Sequence, residues 1–157
     1  LNAMSKWPNT PDCNDAVKAL ASRLANDRHL LNGLNPKGVA NTLNALSKWP
    51  DVDVCQASAD ALASRLANDR ELRNALSPIG VTQALNALSK WTNTPDCNDA
   101  VKALASRLAN DRHLLNGLNP KGVANTLNAL SKWPDVDVCQ ASADALASRL
   151  ANDRELR

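Results

Sequence analysis

The chain has 157 residues, and its 18 Lys and Arg against 16 Asp and Glu leave a formal charge of +2, far from the basic excess of a dedicated nucleic-acid binder. Aromatic residues make up 3% of the chain and none is Phe or Tyr. No apolar run approaches the roughly 18 residues of a membrane span, and no signal peptide is visible.

The octet Leu43-Asn44-Ala45-Leu46-Ser47-Lys48-Trp49-Pro50 recurs at 1–8, 85–92 and 127–134 with small changes, so Trp7, Trp49, Trp91 and Trp133 fall 42 residues apart. A period in this range predicts a solenoid, whose units bury their apolar faces only by stacking on neighbours. On this reading 9–50, 51–92 and 93–134 are whole units, 1–8 ends a truncated one and 135–157 begins another. Neither end carries a polar capping unit, which suggests a stretch of a longer array. Residues 9–73 recur without change as 93–157. The true unit is therefore a pair, odd and even, and the identity points to a recent tandem duplication or an assembled sequence.

In the odd unit Thr10 is placed to cap a helix with Pro11 at its first position; in the even unit Asp51 or Asp53 would serve. Apolar residues then follow at Cys13, Val17, Leu20 and Leu24, or Cys55, Ala59, Leu62 and Leu66, one face of an amphipathic helix. The pattern breaks near Asn26-Asp27-Arg28, and a short apolar segment around Leu30-Leu31 or Leu72 predicts at most a brief third element. Asn35-Pro36 and Ser77-Pro78 each pair an N-cap with proline at the first helical position. The second main helix should run to about Lys48-Trp49, stopped by Pro50, with Val39, Leu43 and Leu46 as its core stripe. Thr92 replaces that proline once and predicts a looser joint. Each tryptophan, one per joint, is expected to fill the space between successive units.

Cys13, Cys55, Cys97 and Cys139 stand one per unit without a close pair. Equivalent positions on stacked helices lie about 8–10 Å apart, beyond disulfide reach, so buried thiols are expected. Arg23 and Asp27 recur as Arg65/Asp69, Arg107/Asp111 and Arg149/Asp153. The arginine stem should cover the core while its head meets the carboxylate, unless the aspartate serves the short element after it. His29 and His113 read as surface residues. No phosphate loop, nucleophile elbow or carboxylate dyad is present, and a self-repeating chain offers few unlike groups to converge. No enzyme activity, metal or cofactor is expected.

A helical projection of the second main helix gathers Lys37, Asn41, Asn44 and Lys48 away from the core stripe; the even unit has Ile79, Gln83, Asn86 and Lys90 there. Stacking would turn Asn2, Asn44, Asn86 and Asn128 into one ladder and Lys6, Lys48, Lys90 and Lys132 into another. These ladders could track a polymer; alternatively the asparagines bond across the joints and the lysines are merely solvated. The columns that vary, Lys37/Ile79/Lys121 and Asn41/Gln83/Asn125, are the candidates for selectivity.

The octet with Ser-Lys-Trp-Pro, and the run 38–46 before and within it, resemble the repeat that names the SKWP family of type III effectors from plant-pathogenic bacteria. That resemblance implies an all-α, right-handed α–α superhelix of the armadillo/HEAT-like kind, in a protein secreted by a bacterium into the plant cell; the ladders and the absence of catalytic groups make a scaffold that binds host proteins the leading expectation. The run from Asn35-Pro36 to Leu46 also looks like octotricopeptide-type repeats, which implies single-stranded RNA as the alternative partner. A purely structural spacer is the third reading.

Overall fold

The computed structural model describes residues 11–92, 94–133 and 136–152; the expectations placed on Asn2, Lys6, Trp7, Thr10, the Cys13 side chain and Asp153 lie outside what it describes. Among these residues there are ten α-helices and no strand: α1 (Pro11–Asn26), α2 (Arg28–Asn32), α3 (Pro36–Leu46), α4 (Asp53–Asn68), α5 (Arg70–Ala75), α6 (Pro78–Leu88), α7 (Pro95–Asn110), α8 (Arg112–Asn116), α9 (Pro120–Leu130) and α10 (Asp137–Asn152). The brief third element is real and helical, as α2, α5 and α8. Two rows of packing build the core: α1 on α4, α4 on α7 and α7 on α10, then α3 on α6 and α6 on α9.

Local chemistry sets the helix bounds. Asn35, Ser77 and Asn119 accept the N–H of Gly38, Gly80 and Gly122 at 2.7, 3.1 and 2.6 Å, each followed by proline, as the pairing of cap and proline predicts. The long first helices end where Asp27, Asp69 and Asp111 turn extended and accept the N–H of Leu30, Leu72 and Leu114, each at 3.0 Å. The aspartates thus serve the short helices. Their contact with the arginine four residues earlier is loose, 4.0 Å at Arg23 and 3.7 Å at Arg107. The Leu114 N–H, with Arg107 nearby, holds the Asp111 carboxyl below the usual range.

Four expectations are corrected. Neither Asp51 nor Asp53 caps α4; Val52 holds the cap position, and Asp53 lies in the first turn, where its charge meets the positive end of the helix dipole. Thr94, the copy of Thr10, sits at the cap position of α7 but makes no cap bond, and its hydroxyl is buried without a partner. The second main helix stops at Leu46, Leu88 and Leu130, short of Lys48-Trp49. Ser47, Ser89 and Ser131 cap it and donate their hydroxyls to Asn44 O, Asn86 O and Asn128 O at 2.6 Å. Because α6 ends at the same place before Thr92, the serine turn rather than Pro50 terminates the helix. Finally, Leu20 is 41% exposed, although Leu104 at the same position of α7 is fully buried, because α4 covers α7 there and no described helix precedes α1.

Val39, Leu43 and Leu46 are fully buried, as are Val81, Leu85 and Leu88. Trp91 and Trp133 are buried and Trp49 half-buried. Trp49 and Trp133 donate Nε1–H to Asn14 and Asn98 at 3.2 and 2.9 Å, inside their own units. Trp91 instead reaches back to Pro50 O at 3.2 Å, since Gln56 stands where the odd units have asparagine.

Arginines tie each unit to the one before. Arg65 Nη1 donates to Leu31 O and Leu34 O at 2.9 and 2.6 Å, Arg107 Nη1 to Arg73 O and to Leu76 O, and Arg149 Nη1 to Leu115 O. These carbonyls lie in or just after the last turns of α2, α5 and α8, where a helix leaves its final carbonyls without i+4 partners; Leu31 O, Arg73 O and Leu115 O also accept a turn N–H from Leu34, Leu76 and Leu118. Cys55, Cys97 and Cys139 are buried free thiols. Cys97 Sγ–H donates to Asp60 Oδ1 at 3.4 Å, and burial, with the charge of Asp60 adding to it, pushes the thiol up to about 12. Burial raises Cys55 and Cys139 too, against the pull of Lys18 and Lys102.

Arg107→Ala should lower stability in urea by about 2–3 kcal/mol through the loss of two charged donors. Arg23 has 69% of its side chain exposed against 13% for Arg107, so Arg23→Ala should cost less than about 0.5 kcal/mol; comparing the two unfolding curves by circular dichroism checks both. The Cys97 thiol stays protonated in the folded chain while the unfolded one ionises from 9.0 upward. Its contribution is therefore complete below pH 9 and lost as the pH climbs toward 12. Cys97→Ala should flatten the alkaline fall in unfolding free energy measured across that window.

Candidate functional site

The face of α6, with α3 on one side and α9 on the other, forms an open groove of about 310 Å³. Asn44 from α3, Gln83 and Asn86 from α6, and Asn125 and Lys121 from α9 line it, with Ile79 at the start of α6. The caps Ser77 and Asn119, each followed by proline at the first helical position, fix where α6 and α9 begin and so place Ile79 and Lys121, each one residue after its proline, at one end of the groove.

The four amide side chains are half-buried, and none has a hydrogen-bond partner among the described residues. The reading in which asparagines bond across the joints does not hold here. Only the backbone carbonyls of Asn44, Asn86 and Asn128 are engaged, by the capping serines. Beneath the amides, Thr82 and Thr126 join α6 to α9 through a buried hydroxyl pair at 3.2 Å, and Thr82 also donates to Pro78 O at 3.1 Å. A buried, satisfied pair of this kind fixes the spacing of two helices where an unsatisfied hydroxyl would cost stability.

The other residues singled out by projection are not in the groove. Lys37 is exposed, Asn41 half-buried and Asn128 exposed, all outside the lining. Lys48, Lys90 and Lys132 are exposed on the turns after the helices, and Lys48 lines a separate depression with Asn14, Lys18 and Trp49. The projection carried the helical angle two residues beyond Leu46, where the helix has ended. His29 and His113 are exposed as expected. Among the described residues no group of three or more His, Cys, Asp or Glu is arranged to hold a metal, and no helix is long and apolar enough to cross a membrane.

Projection also missed the floor and the rim. Thr82 stands where the odd units have Ala40 and Ala124, and Thr126 where the even unit has Ala84, so the hydroxyl pair was visible only as an alternation between unlike columns. Gly117 approaches Pro78 so closely that a Cβ there would lie 2.7 Å from the ring. Its copy Gly33 meets no neighbouring unit; the nearest atom to a Cβ would be its own His29 O at 3.2 Å. Comparison with known protein families, curated proteins and solved structures finds no match to this chain.

Gly117→Ala should force α8 away from Pro78, distort the groove at its Ile79 end and destabilise the chain by about 1–3 kcal/mol. Gly33→Ala should change stability by less than about 1 kcal/mol, and thermal unfolding of the two variants side by side checks the difference.

Proposed function

We propose that the chain is a non-catalytic α-solenoid of 42-residue units, a right-handed superhelix of the armadillo/HEAT-like kind, that holds an extended stretch of a host protein in the groove over α6. Helix starts at 11, 53, 95 and 137 in one packed row, and at 36, 78 and 120 in the other, support the stacking, with 9–50, 51–92 and 93–134 as its whole units. The likeness of the octet to SKWP repeats supports a place in an effector secreted into plant cells.

One observation carries the binding reading: Asn44, Gln83, Asn86 and Asn125 present unpartnered donors and acceptors in one groove. A side-chain amide offers both, which matches the alternating N–H and C=O of an extended peptide. The exposed Ile79, 65% accessible, adds an apolar contact, and Lys121 a single cation. No carboxylate, imidazole or thiol lines the groove, so it offers no acid–base pair. The lining has no aromatic ring to stack a base and one cation to meet phosphates, which favours protein over single-stranded RNA.

Combining Ile79→Ala, Gln83→Ala and Asn86→Ala should reduce capture of plant proteins by about tenfold or more, the effect of roughly 1.4 kcal/mol, with helicity unchanged. Lys102→Ala, on the exposed side of α7, should leave capture intact. Equal capture by both variants would overturn the groove as the site. Retention of single-stranded RNA that falls steeply with salt would replace the protein reading with the nucleic-acid one.

A further inference from the structure

The groove over α6 is built from positions one unit apart. Ile79 of α6 and Lys121 of α9 are equivalent, as are Gln83 and Asn125 on the same two helices, and Asn44 and Asn86 on α3 and α6. Lys37 holds the same position on α3, outside the lining, so Ile79 has an exposed lysine one helix away on either side. Neither lysine is in an ion pair among the described residues, and no carboxylate lines the groove. Helix α6 has a neighbour packed on each flank and still leaves Ile79 65% exposed, so this face is open in the middle of the row.

A chain lying across α3, α6 and α9 meets like groups at a single step, the helix spacing of about 8–10 Å. Along α6 itself Ile79, Gln83 and Asn86 follow at unequal rises of about 6 and 4.5 Å, which no regular extended chain reproduces. A β-strand shows the same face every second residue, about 6.8 Å on, short of the next helix. A polyproline II segment shows it every third residue, about 9.3 Å on, which falls within the spacing. Its backbone makes no internal hydrogen bonds, so its N–H and C=O groups are free for the paired amides, each of which can donate and accept.

Given the groove as a peptide site, on which this rests, we infer that it takes an acidic, proline-rich segment in the polyproline II conformation. An apolar residue lies over Ile79, and a carboxylate three residues to either side of it meets Lys37 and Lys121. The sign of the charge follows from the two lysines, and the period of three from the match between helix spacing and polyproline pitch.

Fluorescence anisotropy titrations of the 157-residue chain with three labelled peptides test this: Glu-Pro-Pro-Leu-Pro-Pro-Glu, the same residues reordered as Pro-Glu-Pro-Leu-Pro-Glu-Pro, and the β-forming Thr-Glu-Thr-Leu-Thr-Glu-Thr. The first should bind about fivefold or more tightly than either of the others, the effect of two exposed charge contacts, and the margin should shrink as salt rises. Lys121→Glu, at an exposed position, should weaken the first peptide and strengthen Lys-Pro-Pro-Leu-Pro-Pro-Lys, with helicity by circular dichroism equal to wild type. Equal or tighter binding of the reordered or the threonine peptide overturns the inference, as do binding of none of the three and affinities that Lys121→Glu leaves unchanged. Capture of plant proteins by the variant combining Ile79→Ala, Gln83→Ala and Asn86→Ala does not depend on these peptides. If the peptides fail while that variant loses capture, the groove stands and the ligand class alone falls; if it captures as well as wild type, the groove falls with it.

Discussion

The fold depends on how each short helix ends. Asp69 caps α5 through the Leu72 N–H, and the end of that helix leaves the carbonyls of Arg73 and Leu76 open to Arg107 of the next unit. The planar guanidinium, with several donors in a fixed fork, suits two carbonyls at once better than an ammonium would. Cap, short helix and arginine therefore act in sequence: without the aspartate the helix has no defined start, and without its end the arginine has no partner. The same relation holds from Asp27 through α2 to Arg65 and from Asp111 through α8 to Arg149.

Around this shared anchor the joints come in two kinds. Going from odd to even, Ser58 and Ser142 donate hydroxyls to Ala21 O and Ala105 O, and the second-row positions are Ala40 and Ala84, both buried. Going from even to odd, Ala100 replaces the serine, Cys97 meets Asp60, and Thr82 meets Thr126. Asp60 itself stands where the odd units carry Lys18 and Lys102, so the charge beside the buried thiol changes sign from one joint to the next. Each kind supplies a polar link, in the first row at one joint and in both rows at the other. Two surfaces that satisfy different polar groups do not interchange at no cost, which favours the odd–even order over odd on odd.

Much of this was legible in the chain itself. The period, the Asn-Pro and Ser-Pro starts, the break at Asp27 and the Val39/Leu43/Leu46 stripe all depend on contacts within a few residues, where side-chain type dictates geometry. The arginine–aspartate pair was noticed, but its spacing of four pointed to an ion pair, whereas the partner that matters lies 31 to 34 residues back. Helix ends were misread for a related reason. Proline is the conspicuous breaker, yet a serine hydroxyl returning to the carbonyl three residues earlier ends the helix first, as α6 shows in the absence of proline. The Lys48 column fell away with that error. Leu20 was misread differently: its sequence context equals that of Leu104, and only the neighbour differs.

The groove follows from the pairing of unlike units rather than from the period of 42. It is centred on α6, the even helix, and takes its walls from the two odd helices beside it. Where an odd unit has lysine, as at Lys37 and Lys121, the even one has Ile79; where it has Asn41 and Asn125, the even one has Gln83. A groove centred on an odd helix would thus place a cation in the middle and isoleucine at the rim. The asparagine column at Asn44, Asn86 and Asn128 is uniform, so it supplies the same amide at every step. Chemical difference along the row comes from the alternating columns, and these repeat every 84 residues. Neighbouring helices within one pair are therefore chemically distinct surfaces, although their backbones are built by the same caps and the same arginines.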